Sequence, residues 1–394
     1  MSHKKLIVLF VAVLLASVLW VEGVFAASPV PKLLTMTAHD VSSSTYVQMA
    51  AMGAAFRASE GVKLRVIPSG TDVGRMAPLR AGEVDFAAAS AGIYAISEGL
   101  YEFGNPEWGP QKVRLIWMNY PPDVGVGLAT TLKTGIDKIS DIKGRRVASV
   151  PGSSAVTLQI KGLLAFGGLT YDDVVLVEFP SYGATFKGLK DDKVDIISSM
   201  TDGAAMYELA DSPRGVKVLP VPKADKEGWL RLLKVAPYMR PQVATKGPGD
   251  YISKDKPLEC VMYPSVPSLI AYDKSNADTV YHVARLVHQN FDRYKNAHPS
   301  MPGWNLKQQV KPWIVPYHEG SVKYLREIGW WTEADEKTNN WLINRQRILR
   351  ETFDNAMMEA SEQKMSVKVF HEYWLKKREE VIKSENIGLE TILL

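Results

Sequence analysis

Two stretches of this 394-residue chain gather small hydroxyl residues where a helix should begin: Ser42-Ser43-Ser44-Thr45 and Gly152-Ser153-Ser154. A helix start leaves about four backbone N–H groups without intrahelical partners and carries partial positive charge. Ser and Gly ahead of it let an anionic oxygen approach those groups closely. Plain N-capping explains either cluster taken alone. Both, however, follow strand-like runs at equivalent points, and ligands of open α/β sheets bind at the carboxyl ends of strands. That placement points to ligand contact by Ser42, Ser43, Ser44 and Thr45 in one stretch and by Gly152, Ser153, Ser154 and Ala155 in the other.

Further residues fall on the same rim: Gly70, Thr71, Ser90, Tyr182, Thr201 and Asp202. Arg75 can hold a carboxylate bidentately or stand as a solvated helix charge. Asp202 can pair with a ligand ammonium or cap the helix that begins at Gly203. Tyr182 can stack on a ligand or fill a turn. His39 and Asp40, just ahead of the serines, can also reach the rim. Asp85 and Asp195 read as structural, because each closes a recurring Leu-x-x-x-x-Val-Asp turn.

Other chemistry has no pattern here. The seven His residues form no metal-ligand spacing with Cys, Asp or Glu; His282 and His288, six apart, fall on different sides of a helix. A Gly-x-Ser-x-Gly elbow and a phosphate-binding Walker loop are both lacking. No catalytic residue, metal or cofactor is expected. Cys260 is the only cysteine and reads as a small apolar strand residue.

The elements that must position the rim occur twice. Residues 33–92 and 145–203 share one order: apolar run, hydroxyl cluster, helix-like stretch, apolar run ending in Pro-Ser, second helix-like stretch, then Val-Asp. Ser43 and Asp85 lie 42 positions apart, Ser154 and Asp195 lie 41 apart. Alternating strands and helices argue for parallel sheets with crossover helices, hence two α/β lobes facing across a cleft. Segments near 124–131 and 220–245 are the expected hinge. The tail over 317–383 is helical in pattern, and its Trp330, Trp331, Trp341 and Trp374 read as packing.

Composition agrees with a globule: 46% hydrophobic and 23% charged residues, with a formal net charge of +4. No Lys/Arg run is dense enough for nucleic acid. Lys4 and Lys5, the apolar run Leu6 to Trp20, and Val24-Phe25-Ala26 predict a cleavable secretory signal over 1–26 and a periplasmic address.

Several stretches resemble the TAXI family, the extracytoplasmic solute receptors of TRAP transporters: SSSTYVQMAAMGAAF, GTDVGRMAPLRAGEVDFAAAS, KGRRVASVPGSSAVTLQIKGLLAFGGLTYDDV, LKDDKVDIISSMTDGAAMYEL and HEGSVKYLREIG. The resemblance spans roughly 33–330 and, by motif position, implies that Tyr46 joins Ser43, Ser44, Thr45, Gly70, Thr71, Ser90, Ser153, Ser154 and Thr201 in the pocket. It implies a type II periplasmic-binding-protein fold, α/β, with two lobes of mixed, mostly parallel sheets. Lobe one is expected over 27–125, lobe two over 126–235, a return to lobe one over 236–330, and a helical C-terminal extension over 331–394. It further implies a receptor, not an enzyme, that closes on a small organic anion (amino acid, 2-oxo acid or dicarboxylate) and delivers it to TRAP membrane permease subunits. Many members carry an acidic residue where this chain has Ala91, and the tail beyond about 332 exceeds the usual length. The alternatives are an ABC-type substrate-binding protein for a sulfonate or aromatic precursor, an exported enzyme on the same scaffold, and a sensory module for a membrane kinase.

Overall fold

The computed structural model describes residues 29–309 and 313–393; the expected signal segment 1–26 lies outside them. Residues from Pro31 onward form one compact unit. Its elements, in chain order, are β1 (Leu33–Ala38), α1 (Ser44–Glu60), β2 (Lys63–Pro68), α2 (Asp72–Ala81), β3 (Phe86–Ala89), α3 (Gly92–Glu98) and β4 (Val113–Met118). Then come β5 (Val126–Thr130), β6 (Arg146–Ser149), α4 (Ser154–Phe166), β7 (Val175–Glu178), α5 (Tyr182–Lys190), β8 (Ile197–Met200), α6 (Ala204–Ala210), β9 (Lys217–Val218) and α7 (Lys226–Val235). The chain continues with β10 (Arg240–Ala244), β11 (Leu258–Met262), β12 (Ser268–Tyr272), α8 (Ala277–Gln289), α9 (Phe291–Tyr294) and α10 (Glu319–Glu327). It ends in α11 (Glu333–Glu362), α12 (Val367–Ser384) and α13 (Glu390–Leu393).

Lobe one is a sheet of order β2-β1-β3-β12-β4, in which only β12 runs against the rest. Lobe two repeats that order. β7 pairs with β6 in parallel, a parallel bridge from Val147 to Ile196 joins β6 to the β8 edge, and β5 lies antiparallel beside β8. In each lobe the strand that arrives from the other lobe, β12 or β5, runs against the strands beside it. This is the type II periplasmic-binding-protein fold. The duplication reaches single side chains. Asp85 accepts the Thr35 N–H at 2.7 Å and the Thr35 hydroxyl at 2.8 Å, tying the turn before β3 to β1. Asp195 accepts the Arg146 N–H at 2.9 Å and its guanidinium at 2.7 Å, tying the turn before β8 to β6. Both are structural.

The crossings differ from the sequence expectation. β10 pairs with β11, from Arg240 opposite Met262 to Ala244 opposite Leu258, and β11 pairs with β5. The chain therefore stays in lobe two to Met262 and returns later than residue 236. The crossing segments are 119–125 and 263–267. They hold each other at Asn119, whose carbonyl accepts the Ser265 N–H at 3.2 Å and the Val266 N–H at 3.0 Å. Segments 124–131 and 220–245 lie mainly within lobe two.

Lobe two packs on Phe186, Leu189, Ile197, Met206 and neighbours. α11 and α12 have their own core of Leu349, Phe353, Ala356, Phe370 and Trp374. This pair of helices braces lobe one. Trp374 is fully buried and its indole N–H donates to the Gly99 carbonyl at 2.5 Å. Arg345 and Arg378 both pair with the buried carboxylate of Glu98 at the end of α3. The helical stretch from Ala277 to Tyr294 divides at Asn290 into α8 and α9.

Candidate functional site: the cleft between the lobes

The N-termini of α1 and α4 meet across a cavity of about 50 Å³, room for roughly three to five water-sized bodies. Of the expected residues, Ser42, Ser43, Ser44, Thr45, Gly70, Arg75, Ser90, Ser153, Ala155 and Tyr182 line it. On the lobe-one side, Ser43 caps α1 by accepting the Tyr46 N–H at 3.2 Å. The Ser44 and Thr45 N–H groups are left at the cavity end of the helix. His39 lies beside them, with Nε2 3.3 Å from the Ser90 hydroxyl and Nδ1 without a partner among the described residues. Burial, reinforced by Arg75, holds the His39 pKa well below its usual value. The ring is therefore neutral and offers one polar nitrogen. Burial also pushes the Tyr182 phenol up to about 12, so it stays protonated.

Arg75 is only 3% exposed and is paired to Asp72 three residues before it. A second guanidinium nitrogen donates to the Ser69 carbonyl at 3.0 Å. Its charge is thus met by the protein. The carboxylates are committed as well. Asp72 accepts the Ala155 N–H at 2.8 Å, and Asp40 accepts the Gly183 N–H at 2.8 Å.

Other expected residues do not line the cavity. Tyr46 gives only its backbone N–H to the cap. Thr71 caps α2 by accepting the Gly74 N–H at 3.0 Å. Ser154 donates to Glu102 at 2.5 Å. Thr201 accepts the Gly125 N–H at 3.1 Å and donates to the Lys246 carbonyl at 3.0 Å, so it fastens a crossing segment. Asp202 faces Ser300 and His298 rather than a ligand ammonium.

Several lining residues were not expected. Val156, Phe186, Met200, Ala205 and Val266 give the cavity an apolar half. Gln159 and Tyr263 close it, with the amide donating to the phenol at 2.6 Å. Gln159 left a trace in the sequence as a lone amide in the apolar run SAVTLQIKGLLAF. Tyr263 and Val266 left none, since they reach the cavity only through the second crossing. Among the described residues no group of His, Cys, Asp or Glu is placed to hold a metal ion. No helix there is long and apolar enough to cross a membrane.

Comparison with curated proteins gave no match. Solved structures similar to this chain include the alkanesulfonate-binding protein SsuA from Xanthomonas axonopodis pv. citri bound to MOPS. It shows 12% identity and a TM-score of 0.46, covering 88% of this chain and 99% of that one. An ancestral arginine-binding protein bound to arginine shows 14% identity and a TM-score of 0.42, covering 70% and 99%. The periplasmic aliphatic sulphonate binding protein SsuA from Escherichia coli shows 14% and 0.39, covering 78% and 92%. The family model that matches spans residues 37–329 and is not that of the TAXI receptors. The resemblance to TAXI receptors is therefore corrected: its motifs are the strand–serine–helix and Val-Asp turns that this fold repeats in both lobes. The chain belongs to the NMT1-like family.

Proposed function

We propose that the protein is an exported solute receptor that closes on a small organic solute bearing one anionic group and an apolar remainder. With the TRAP assignment overturned, an ABC-type permease is the membrane partner that fits a receptor of this fold. The observation that carries the reading is the lining of the cleft. Hydroxyls of Ser42, Ser43, Ser44, Thr45 and Ser90 and the α1 N-terminus face an apolar wall of Val156, Phe186, Met200 and Val266. One oxyanion is served by the helix end and the hydroxyls. A second ionic group finds no free partner, because Arg75, Asp72 and Asp40 are already engaged. Among the expected solutes this favours a 2-oxo acid or a sulfonate over an amino acid or a dicarboxylate. A solute touching both lobes binds the closed form better and shifts the population toward it. His39 lies beside the Ser90 hydroxyl, but its Nδ1 has no orienting partner among the described residues, so the third member of a catalytic triad is not supplied, which favours binding over turnover.

Native mass spectrometry of freshly purified protein, read for a co-purified small molecule, tests the reading. Calorimetry with matched monoanions and dianions follows. A bound monoanion, returned unchanged after incubation, is the expected result. Preferential binding of dianions or zwitterions, or conversion of the solute, overturns it.

A further inference from the structure

Three lobe-one carboxylates are seated in the donor-rich turns of lobe two. Asp72 Oδ2 accepts the Ala155 N–H at 2.8 Å and the Ser153 hydroxyl at 3.3 Å. Glu102 accepts the Gly152 N–H at 3.1 Å through one oxygen and the Ser154 hydroxyl at 2.5 Å through the other. Asp40 accepts the Gly183 N–H at 2.8 Å. Two backbone bonds run beside them, Val73 N–H to the Gly152 carbonyl at 3.1 Å and Tyr182 N–H to the Gly70 carbonyl at 3.3 Å. The start of α4 is an anion site by its physics, and the protein's own carboxylates occupy it.

We infer that Asp40, Asp72 and Glu102 form a built-in latch that holds the lobes together with no solute between them. Charge-assisted hydrogen bonds to backbone N–H groups are among the stronger ones available, and these span the cleft in parallel. Solute entry then requires the latch to break, and solute release does not by itself open the cleft. The C-terminal helices belong to the device. Glu102 stands on the turn at 101–104, directly after Gly99 and Glu98, which Trp374, Arg345 and Arg378 hold in place. The His371 ring of α12 lies against Gly104 on that same turn. The extension thus aims one carboxylate of the latch.

The inference deepens the reading above, since the latch controls access to the same cleft. Its test uses no solute, so it can fail while solute binding stands. Spin labels at Lys63→Cys and Lys190→Cys, both exposed positions on opposite lobes, report the inter-lobe distance by double electron–electron resonance. Cys260 is fully buried and takes no label. In protein stripped of solute by unfolding and refolding, one narrow, short distance is expected. Adding Asp40→Ala and Glu102→Ala should broaden the distribution toward longer distances while thermal unfolding stays cooperative. Asp72 also balances Arg75, so Asp72→Asn serves as the milder third variant and should shift the distribution in the same direction. A long or broad distribution in the unsubstituted protein, or the same narrow one in all the variants, overturns the latch.

Discussion

The Gly70 carbonyl accepts the Tyr182 N–H at 3.3 Å, so the two lobes touch backbone to backbone at the rim of the cleft. A Cβ built on Gly70 would collide with the Cβ of Ser181. Glycine is required there by the closeness of approach, not by an unusual backbone angle. Gly70→Ala should prop the lobes apart and leave each lobe folded. Overpacking of this kind costs about 1–3 kcal/mol, which lowers solute affinity by roughly 5- to 150-fold. Calorimetry of the variant should show that loss with a nearly unchanged melting temperature. Unchanged affinity would mean that the solute does not need this contact.

Ser43 and Thr45 separate a structural role from a binding one. Both line the cavity, but only Ser43 caps α1 through the Tyr46 N–H. Ser43→Ala should lower stability by about 1 kcal/mol in denaturant unfolding and weaken solute binding as well. Thr45→Ala should weaken binding by about 1 kcal/mol if its hydroxyl makes one neutral hydrogen bond, with stability little changed. Equal stability losses in the two variants would contradict the division.

What the sequence made legible, and what it hid, follows from range. Ser43, Ser153, Asp85 and Asp195 were readable because their residue types recur in both lobes at matching spacing; Asp85 and Asp195 repeat one job, while Ser43 caps its helix and Ser153 donates to Asp72 instead. Strand positions were readable as apolar runs, as with Val113–Met118, where all six residues are buried. Partners across the fold were not. Nothing in the sequence says that β10 and β11 pair with each other and stay in lobe two. Thr201 follows β8 as expected, yet its hydroxyl is claimed by Gly125, 76 residues away. The bonds that engage the lobe-two serine turn span 52 and 83 residues, from Ser154 to Glu102 and from Ala155 to Asp72. Nothing local announces such pairs.

Asp202 should make stability fall as pH rises. Burial pushes its pKa up, outweighing the opposing influence of His298, the Ser300 hydroxyl and Lys246. A carboxyl whose folded pKa is raised contributes its stabilisation below the ordinary carboxylate pKa and loses it as pH climbs through the folded value. From about pH 4 toward neutrality the Asp202 contribution to the denaturant midpoint should decline, against the opposite trend of carboxyls with a depressed pKa such as Glu98. Asp202→Asn, neutral throughout and still able to bond Ser300, should remove that part of the slope. Identical slopes in the two proteins would sink the assignment.

Cys260 should be chemically silent in the native state. It is fully buried on β11, and burial raises its thiol pKa to about 12. The thiolate is the reactive form, and at pH 8 almost none exists. An aromatic disulfide reagent should titrate no thiol in native protein and one after unfolding. Rapid native reaction would require opening of the β10–β11–β5 sheet.

Glu98 carries the attachment of the C-terminal helices to lobe one. Its side chain is 1% exposed and meets Arg345, 4% exposed, and Arg378. Burial opposes its ionisation, but the two guanidinium groups prevail and hold its pKa below the usual value. A depressed carboxyl pKa adds stability above the ordinary carboxylate range and loses it as pH falls through the folded value, so acid should loosen α11 and α12. Glu98→Gln leaves two buried cations without their counter-charge, a change of about 3–5 kcal/mol. Arg347→Ala, which removes an exposed pair with Glu351 one turn along α11, should change stability by about 0.3–0.5 kcal/mol. The two variants therefore differ roughly tenfold in effect if the buried triad anchors the extension. Denaturant unfolding measures both. Hydrogen exchange adds a local reading: in Glu98→Gln, protection should fall first along α12 and the turn at 101–104, where Trp374 donates to Gly99. Loss of protection spread evenly over both lobes would show that Glu98 supports the whole fold instead of this one attachment.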